Sequence, residues 1–299
     1  LTGRLESGLN QAEKDDMTKT GAMEKETAGT LVRSEGDRLR RVIVCAPRKE
    51  YFRVDNFEAH NIEAPADPPK AREQHAALRS ALRKAGARVI NLKELADHPN
   101  SVFARDACLV TPDGYVRLRM GLRTRRGEEK WLAAAVKALG IPCAGAIEAP
   151  GTVEGGDVIL AGRVAFVGKS ARTNESGSGQ LARLLGKMGY EVRSLRLPAG
   201  RLHIGGEMSL AGPKSVLCYG GFFPRGFFEG YDVIEIPQSG AASANIISLG
   251  GGAVIVEKRN KPAIMALKET GFSVHALDLS EFVKGRGGPS CLIMPVDRG

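Results

Sequence analysis

Five times along this chain a segment ends on a glycine and gives way to a strand-like run, with an apolar residue or cysteine three positions on. The occurrences are Gly86-Ala-Arg-Val89, Gly140-Ile-Pro-Cys143, Gly189-Tyr-Glu-Val192, Gly230-Tyr-Asp-Val233 and Gly271-Phe-Ser-Val274. The segment before each glycine reads as a helix, and the glycine suits its C-terminal cap, where a left-handed backbone is easy only without a β-carbon. Leu78, Leu82 and Ala85 share a helix face before the first glycine, and Leu181, Leu184, Leu185 and Met188 do so before the third. Successive glycines lie 54, 49, 41 and 41 residues apart. A period of that length belongs to repeat and propeller-like architectures, in which a unit that cannot bury its own apolar face buries it on its neighbours. Four of the five continue as clear strands, and the second is degenerate. Pro262 suits the first turn of the last helix.

The chain has 299 residues, 42% of them hydrophobic, enough for a sizeable core. Residues 1–38 are polar and charged and read as a disordered or tag-like extension. Residues 39–299 read as one α/β domain. Five cysteines with no CxxC pair argue against a disulfide framework and a structural zinc site, and favour a reducing compartment. No apolar stretch is long enough to span a bilayer, so the expected location is cytoplasmic, without membrane partners. The net charge of +9 includes a cluster at Arg117, Arg119, Arg123, Arg125 and Arg126. Aromatic residues make up only 5% and do not interleave with basic ones, so no nucleic-acid partner is expected and the charge reads as solvated surface.

Near the C-terminus, Lys284-Gly-Arg-Gly-Gly-Pro-Ser-Cys291 holds a cysteine on a glycine-rich, basic turn, where a thiolate is stabilised. Cys45, Cys108, Cys143 and Cys218 instead lie in apolar runs that read as strand interiors. Arg201-Leu-His203-Ile-Gly-Gly supplies a proton carrier, and Gly151-Thr-Val-Glu154-Gly-Gly-Asp157 supplies acids. Thiolate, imidazole and orienting carboxylate are the elements of cysteine–histidine chemistry. Other readings stay open on the residues alone: Cys291 as a small buried hydrophobe, His203 as a turn histidine, Glu154 and Asp157 as turn caps. Of the two acids Glu154 is preferred for catalysis and Asp157 for holding the backbone. His60, His75, His98 and His275 have no comparable setting.

Taken in order, Phe103-Ala-Arg-Asp106, Arg125-Arg-Gly-Glu128, Gly151–Asp157, Ser170-Ala-Arg-Thr-Asn174, His203, Ser280-Glu-Phe with Lys284, and Gly287-Gly-Pro-Ser-Cys291 resemble the dimethylarginine dimethylaminohydrolases. These belong to the guanidino-modifying superfamily of arginine deiminases and amidinotransferases, and the resemblance runs from about Arg41 to the end. It implies a five-bladed α/β propeller of pseudo-repeated ββαβ units with one central site and neither metal nor cofactor. It further implies that Cys291 attacks a guanidinium carbon, that His203 protonates the leaving amine and then activates water, and that Glu154 orients His203. Asp106 would pair with the guanidinium, Arg125 and Arg172 would clamp a carboxylate, and Phe103, Asn100 and Arg286 complete the substrate-binding set. Residues 48–69 would form a lid.

The chain departs from the family pattern at Asn100, Arg105 and Arg286, where acids are usual, and Ile204-Gly205 lacks the acid that arginine deiminases carry after the histidine. The expected activity is hydrolysis of a small guanidino compound, Nω-methylated arginine first, by a monomer or homodimer. Arginine deimination or amidinotransfer is the alternative enzyme reading. A catalytically inactive propeller that serves as a binding module is the alternative from another class, and the joint presence of Cys291, His203 and Glu154 speaks against it.

Overall fold

The computed structural model of the chain describes residues 31–237 and 243–299. Among the described residues five three-stranded sheets are formed, each with an antiparallel pair and a third strand parallel to the middle one. The first comprises β1 (Leu39–Cys45), helix α1 (Pro68–Lys84) and β2 (Arg88–Leu92). The second is β3 (Cys108–Thr111), β4 (Gly114–Arg117), α2 (Glu128–Ala138) and β5 (Cys143–Ala146). The third is β6 (Val158–Ala161), β7 (Val164–Lys169), α3 (Glu175–Lys187) and β8 (Glu191–Arg196). β9 (Met208–Leu210), β10 (Ser215–Tyr219) and β11 (Asp232–Ile236) make the fourth. The fifth is β12 (Ile247–Gly250), β13 (Ala253–Glu257), α4 (Lys261–Glu269) and β14 (Ser273–Leu277). A short helix α5 (Ser280–Val283) leads to β15 (Ile293–Arg298), which pairs with β1 and completes the first sheet. This is the expected five-bladed propeller, its ring closed by the C-terminal strand and its ββαβ pattern lacking the helix in the fourth blade.

All five repeat glycines adopt positive φ, between +80° and +92°. Helix starts are capped as the sequence allows: Asp67 accepts from the N–H of Lys70, Asn174 from Gly177 and Asn260 from Ala263. Pro262 stands in the first turn of α4. Leu78 and Leu82 of α1 and Leu181 and Leu185 of α3 are fully buried. Each buried leucine contributes roughly 1.5–3 kcal/mol relative to an exposed one.

The helix expected before Gly230 is absent. Residues 220–231 run instead through turns, because Pro224 and Gly226 break helical continuity. Aromatic rings from this stretch cover the sheet in its place. Phe227, Phe228 and Tyr231 pack on the buried Phe166 of β7 at centroid distances of 5.3–5.5 Å.

The extension expected over 1–38 falls on residues 1–30 outside the described part. Residues 31–38 do not fit that reading. Val32 is buried in the core, Ser34 bridges to Ala161, and the carboxylate of Glu35 pairs with the buried Arg105. Among the described residues no helix is long and apolar enough to cross a membrane. All five cysteines are free, and Cys143, expected inside a strand, lies exposed on β5.

Candidate active site

The segments that enter the first strand of each blade converge at the centre of the ring. Asp106, Asn245 and Cys291 each stand two residues before such a strand, Glu154 four before and His203 five before. The fold thus presents one chemistry-bearing side chain per blade to a common space.

Close approach of the backbones depends on Gly156. A β-carbon there would lie 2.4 Å from Nδ1 of His203 and 2.9 Å from Oδ1 of Asp106, so the imidazole occupies space that only glycine leaves open. The Gly156 N–H donates to Asp106 at 2.9 Å. Asp157 is buried and holds the backbone: its carboxylate accepts from the N–H of Ile204 (3.0 Å) and the hydroxyl of Ser170 (2.6 Å). Burial raises its pKa to about 6, against the pull of His203 and these donors.

His203 is almost wholly buried between two carboxylates. Its Nε2 lies 2.9 Å from Oε2 of Glu154, and its Nδ1 lies 3.9 Å from Oδ1 of Asp106. Burial alone would depress its pKa, but Asp106, the Glu154 bond and Asp157 outweigh burial and raise it to about 9. At neutral pH the ring is therefore an imidazolium. Burial would raise the pKa of Glu154, yet its bond to His203 and the charges of His203, Arg125 and Arg172 lower it to about 2. Its Oε1 also accepts the N–H groups of Gly121 and Leu122.

Cys291 lies half-buried on a tight turn at Pro289–Leu292. Burial first, and then the negative charge of Asp106, push its thiol up to about 11. Backbone hydrogen bonding within its own turn, Arg105 and Arg125 offset this only in part. Contrary to the expectation from its basic turn, Cys291 is a thiol at neutral pH in the unliganded protein.

Arg125 departs from its expected place as a carboxylate clamp. It is buried, with Nε and Nη2 donating to Glu128, Nη2 also to the Phe103 carbonyl, and Nη1 to Asp106 at 2.6 Å. Its donors are nearly all committed, and the fork holds Asp106 in place. Arg172 stands 3.5 Å from Glu154 and lines the cavity. Arg105 turns away, donating to Glu35 and to the carbonyls of Gly155 and Val158. Arg286 sits at the rim at φ +60°, ion-paired with Glu63 at 3.1 Å. Phe103 is a buried wall.

Asn100 is buried and exchanges hydrogen bonds with His60, its amide donating to the His60 carbonyl at 3.1 Å. It thereby fastens the segment 48–69 over the cavity. The same segment is pinned by the Glu63 N–H donating to the Lys284 carbonyl (2.7 Å) and the Asp67 N–H donating to Glu281 (2.8 Å). The cavity beneath it has a volume of about 20 Å³, room for one water.

The cavity brings together every expected site residue: Cys291, His203, Glu154, Asp106, Phe103, Arg125, Arg172, Asn100 and Arg286. Sequence reasoning missed His60, Asn61, Leu122 and Leu202, which also line it, and Asn245 beside the sulfur. His60 gives no local signal, since its place depends on how its segment folds over the ring. Asn245 could have been found by counting back from the fifth blade's first strand.

Asp106, Glu154 and His203 also place three ligand-type atoms within 4.8 Å of one another. A metal ion there would compete with Arg125 for Asp106 and with the proton of the imidazolium for His203.

A profile of the family described as "N,N dimethylarginine dimethylhydrolase, eukaryotic" matches residues 48–298. The N(G),N(G)-dimethylarginine dimethylaminohydrolase of Pseudomonas aeruginosa is 32% identical over 241 residues, covering 80% of this chain and 93% of that protein. An uncharacterized protein of Aeropyrum pernix is 29% identical over 267 residues, covering 87% and 97%. Among solved structures, a cysteine-to-serine mutant of the Pseudomonas aeruginosa enzyme complexed with citrulline superposes with a TM-score of 0.76 at 29% identity, over 86% of this chain and 99% of that one. The N-terminal domain of a cyanobacterial arginine dihydrolase gives 0.76 at 22% identity, over 88% and 98%, and bears on the fold alone.

Proposed function

The chain belongs to the dimethylarginine dimethylaminohydrolase family, whose reaction is hydrolysis of a guanidino group with a cysteine, and we propose that its substrate is an Nω-methylated arginine, converted to citrulline and a methylamine. The observation that carries this reading is the convergence of Cys291, the His203–Glu154 pair and Asp106 on one cavity.

The substrate's guanidinium lies against Asp106 and Glu154. Its charge offsets that of Asp106 on the thiol, so Cys291 releases its proton to solvent as the cation arrives. Sγ bonds to the guanidinium carbon, and His203, already an imidazolium, gives its proton to the substituted nitrogen. The C–N bond breaks and neutral amine leaves a thiouronium on Cys291. Water then adds to that carbon as neutral His203 takes one of its protons. The C–S bond breaks with its electron pair returning to Sγ, the protonated urea so formed gives its proton to solvent, and the amine released earlier takes up a proton there as ammonium. Glu154 fixes the ring and its charge through both proton transfers.

The head-group preference follows from the cavity walls. Phe103, Leu122 and Leu202 offer an apolar surface beside two carboxylates that are already ion-paired. A methyl group buried there gains roughly 0.8 kcal/mol, whereas an N–H left without an acceptor costs about 1–3 kcal/mol. Arg172 is the cation placed for a carboxylate at the substrate's other end.

Steady-state kcat/KM for dimethylarginine, monomethylarginine, arginine and a deaminated guanidino acid tests the proposal. Methylated arginines should lead. A preference of about tenfold or more for arginine or for the deaminated acid would reassign the substrate and leave the cysteine chemistry standing.

A further inference from the structure

Four blades deliver to the centre a residue already given a part: Asp106, Glu154, His203 and Cys291. The fifth delivers Asn245, which stands two residues before β12 as Cys291 stands two before β15. Its side chain is buried and fully engaged. Nδ2 donates to the carbonyl of Gly205 at 2.9 Å and to Oγ of Ser290 at 2.7 Å, and lies 3.7 Å from Sγ of Cys291. Oδ1 accepts the N–H of Ser290 at 2.8 Å. A single amide therefore bridges the turn after His203 and the turn that carries Cys291.

Gly288 shows how closely this joint is fitted. A β-carbon there would fall 2.5 Å from Oδ1 of Asn245. The glycine-rich run before Cys291 thus makes room for the amide, in addition to shaping the turn. Asn245 also lines a second cavity of about 100 Å³ that reaches both Cys291 and His203.

We propose that Asn245 is a further catalytic residue: the Nδ2 hydrogen directed at Oγ of Ser290 is shared with the Cys291 thiolate as charge develops there, and holds the nucleophile in register with His203. The inference rests on Cys291 being the nucleophile. A neutral donor suits this role. Positive charge beside the sulfur would oppose the incoming guanidinium, whereas an amide favours the thiolate both when it attacks and when it departs from the thiouronium. The sulfur contact at 3.7 Å is long for the neutral thiol and shortens as charge develops, since bonds to ionised groups are shorter and stronger.

The test compares the wild-type chain with Asn245→Asp and Asn245→Ala, reading the pH dependence of Cys291 alkylation by neutral iodoacetamide together with kcat and KM. Asn245→Asp is nearly isosteric, keeps the acceptor for Ser290 and gives up the donor to Gly205, so it is the variant to read if Asn245→Ala does not fold. In either variant the alkylation midpoint should rise by about one pH unit, further for Asp, which adds like charge. kcat should fall by about tenfold or more, with KM changed by less than about threefold. In Asn245→Ala, which adds no charge, a merely structural role would leave the midpoint in place. Unchanged midpoint and kcat in Asn245→Asp overturn the inference while a haloacetamidine still labels Cys291. Absence of that label in the wild type overturns the inference and the nucleophile reading together.

Discussion

Nε2 of His203 lies 2.9 Å from Oε2 of Glu154, and both groups are almost wholly buried. The carboxylate accepts two backbone N–H groups as well, so it cannot swing away without stranding them. Replacing Glu154 by Gln keeps the shape and removes the charge that sustains the imidazolium. kcat should fall by roughly two to four orders of magnitude, with KM little changed. A rate near that of the wild type would show that Asp106 and Asp157 suffice for His203.

The pH profile follows from the same pair. The pKa of His203 is raised to about 9, so the charged ring contributes stability that is fully present below its ordinary value of 6.5 and is lost as pH rises through about 9. Turnover needs the imidazolium as acid, and kcat should decline through the same range. In Glu154→Gln the alkaline limb should move to lower pH. An alkaline limb that stays in place would separate it from His203.

Cys291 is a thiol in the unliganded protein, with its pKa raised to about 11. Neutral iodoacetamide should therefore react slowly at pH 7 and faster toward pH 11. A cationic haloacetamidine brings its own positive charge to Asp106 and should label Cys291 rapidly at about pH 7. Equal rates for the two reagents at neutral pH would mean that the thiolate forms without help from the substrate.

Arg125 and Arg172 should separate cleanly. Removing Arg125 strands Asp106 and Glu128 in the interior, and Arg125→Ala should cost about 3–5 kcal/mol of stability, read from urea unfolding. Arg172 retains some solvent contact and reaches Glu154 only at 3.5 Å. Arg172→Ala should raise KM while shifting the urea midpoint little. A larger loss of stability from Arg172→Ala than from Arg125→Ala would reverse the two assignments.

The repeat glycines made most of the architecture readable, because a left-handed cap before a strand is a local demand that survives in any tertiary setting. The loop at 220–231 escaped that reading: the same glycine follows a segment in which Pro224 and Gly226 outweigh the pattern, and aromatic packing on Phe166 replaces the helix. At the centre, the glycines beside Glu154 and Cys291 marked places of close backbone approach, which is why those motifs stood out. Charge partners were not legible. Arg125 carries the same side chain whether it binds a substrate carboxylate or Asp106 and Glu128, and only the three-dimensional arrangement decides between them. Arg105 likewise looks like a departure at the substrate until its partner proves to be Glu35, seventy residues earlier.

The cysteine mechanism is tested most directly by turnover of dimethylarginine in Cys291→Ser, measured as ureido product, alongside mass analysis of quenched wild-type enzyme during turnover. The variant should lose at least about three orders of magnitude in rate with its fold intact, and the wild type should carry an amidino adduct on the peptide that contains Cys291. Activity retained within about tenfold, or an adduct on any other residue, would contradict the mechanism.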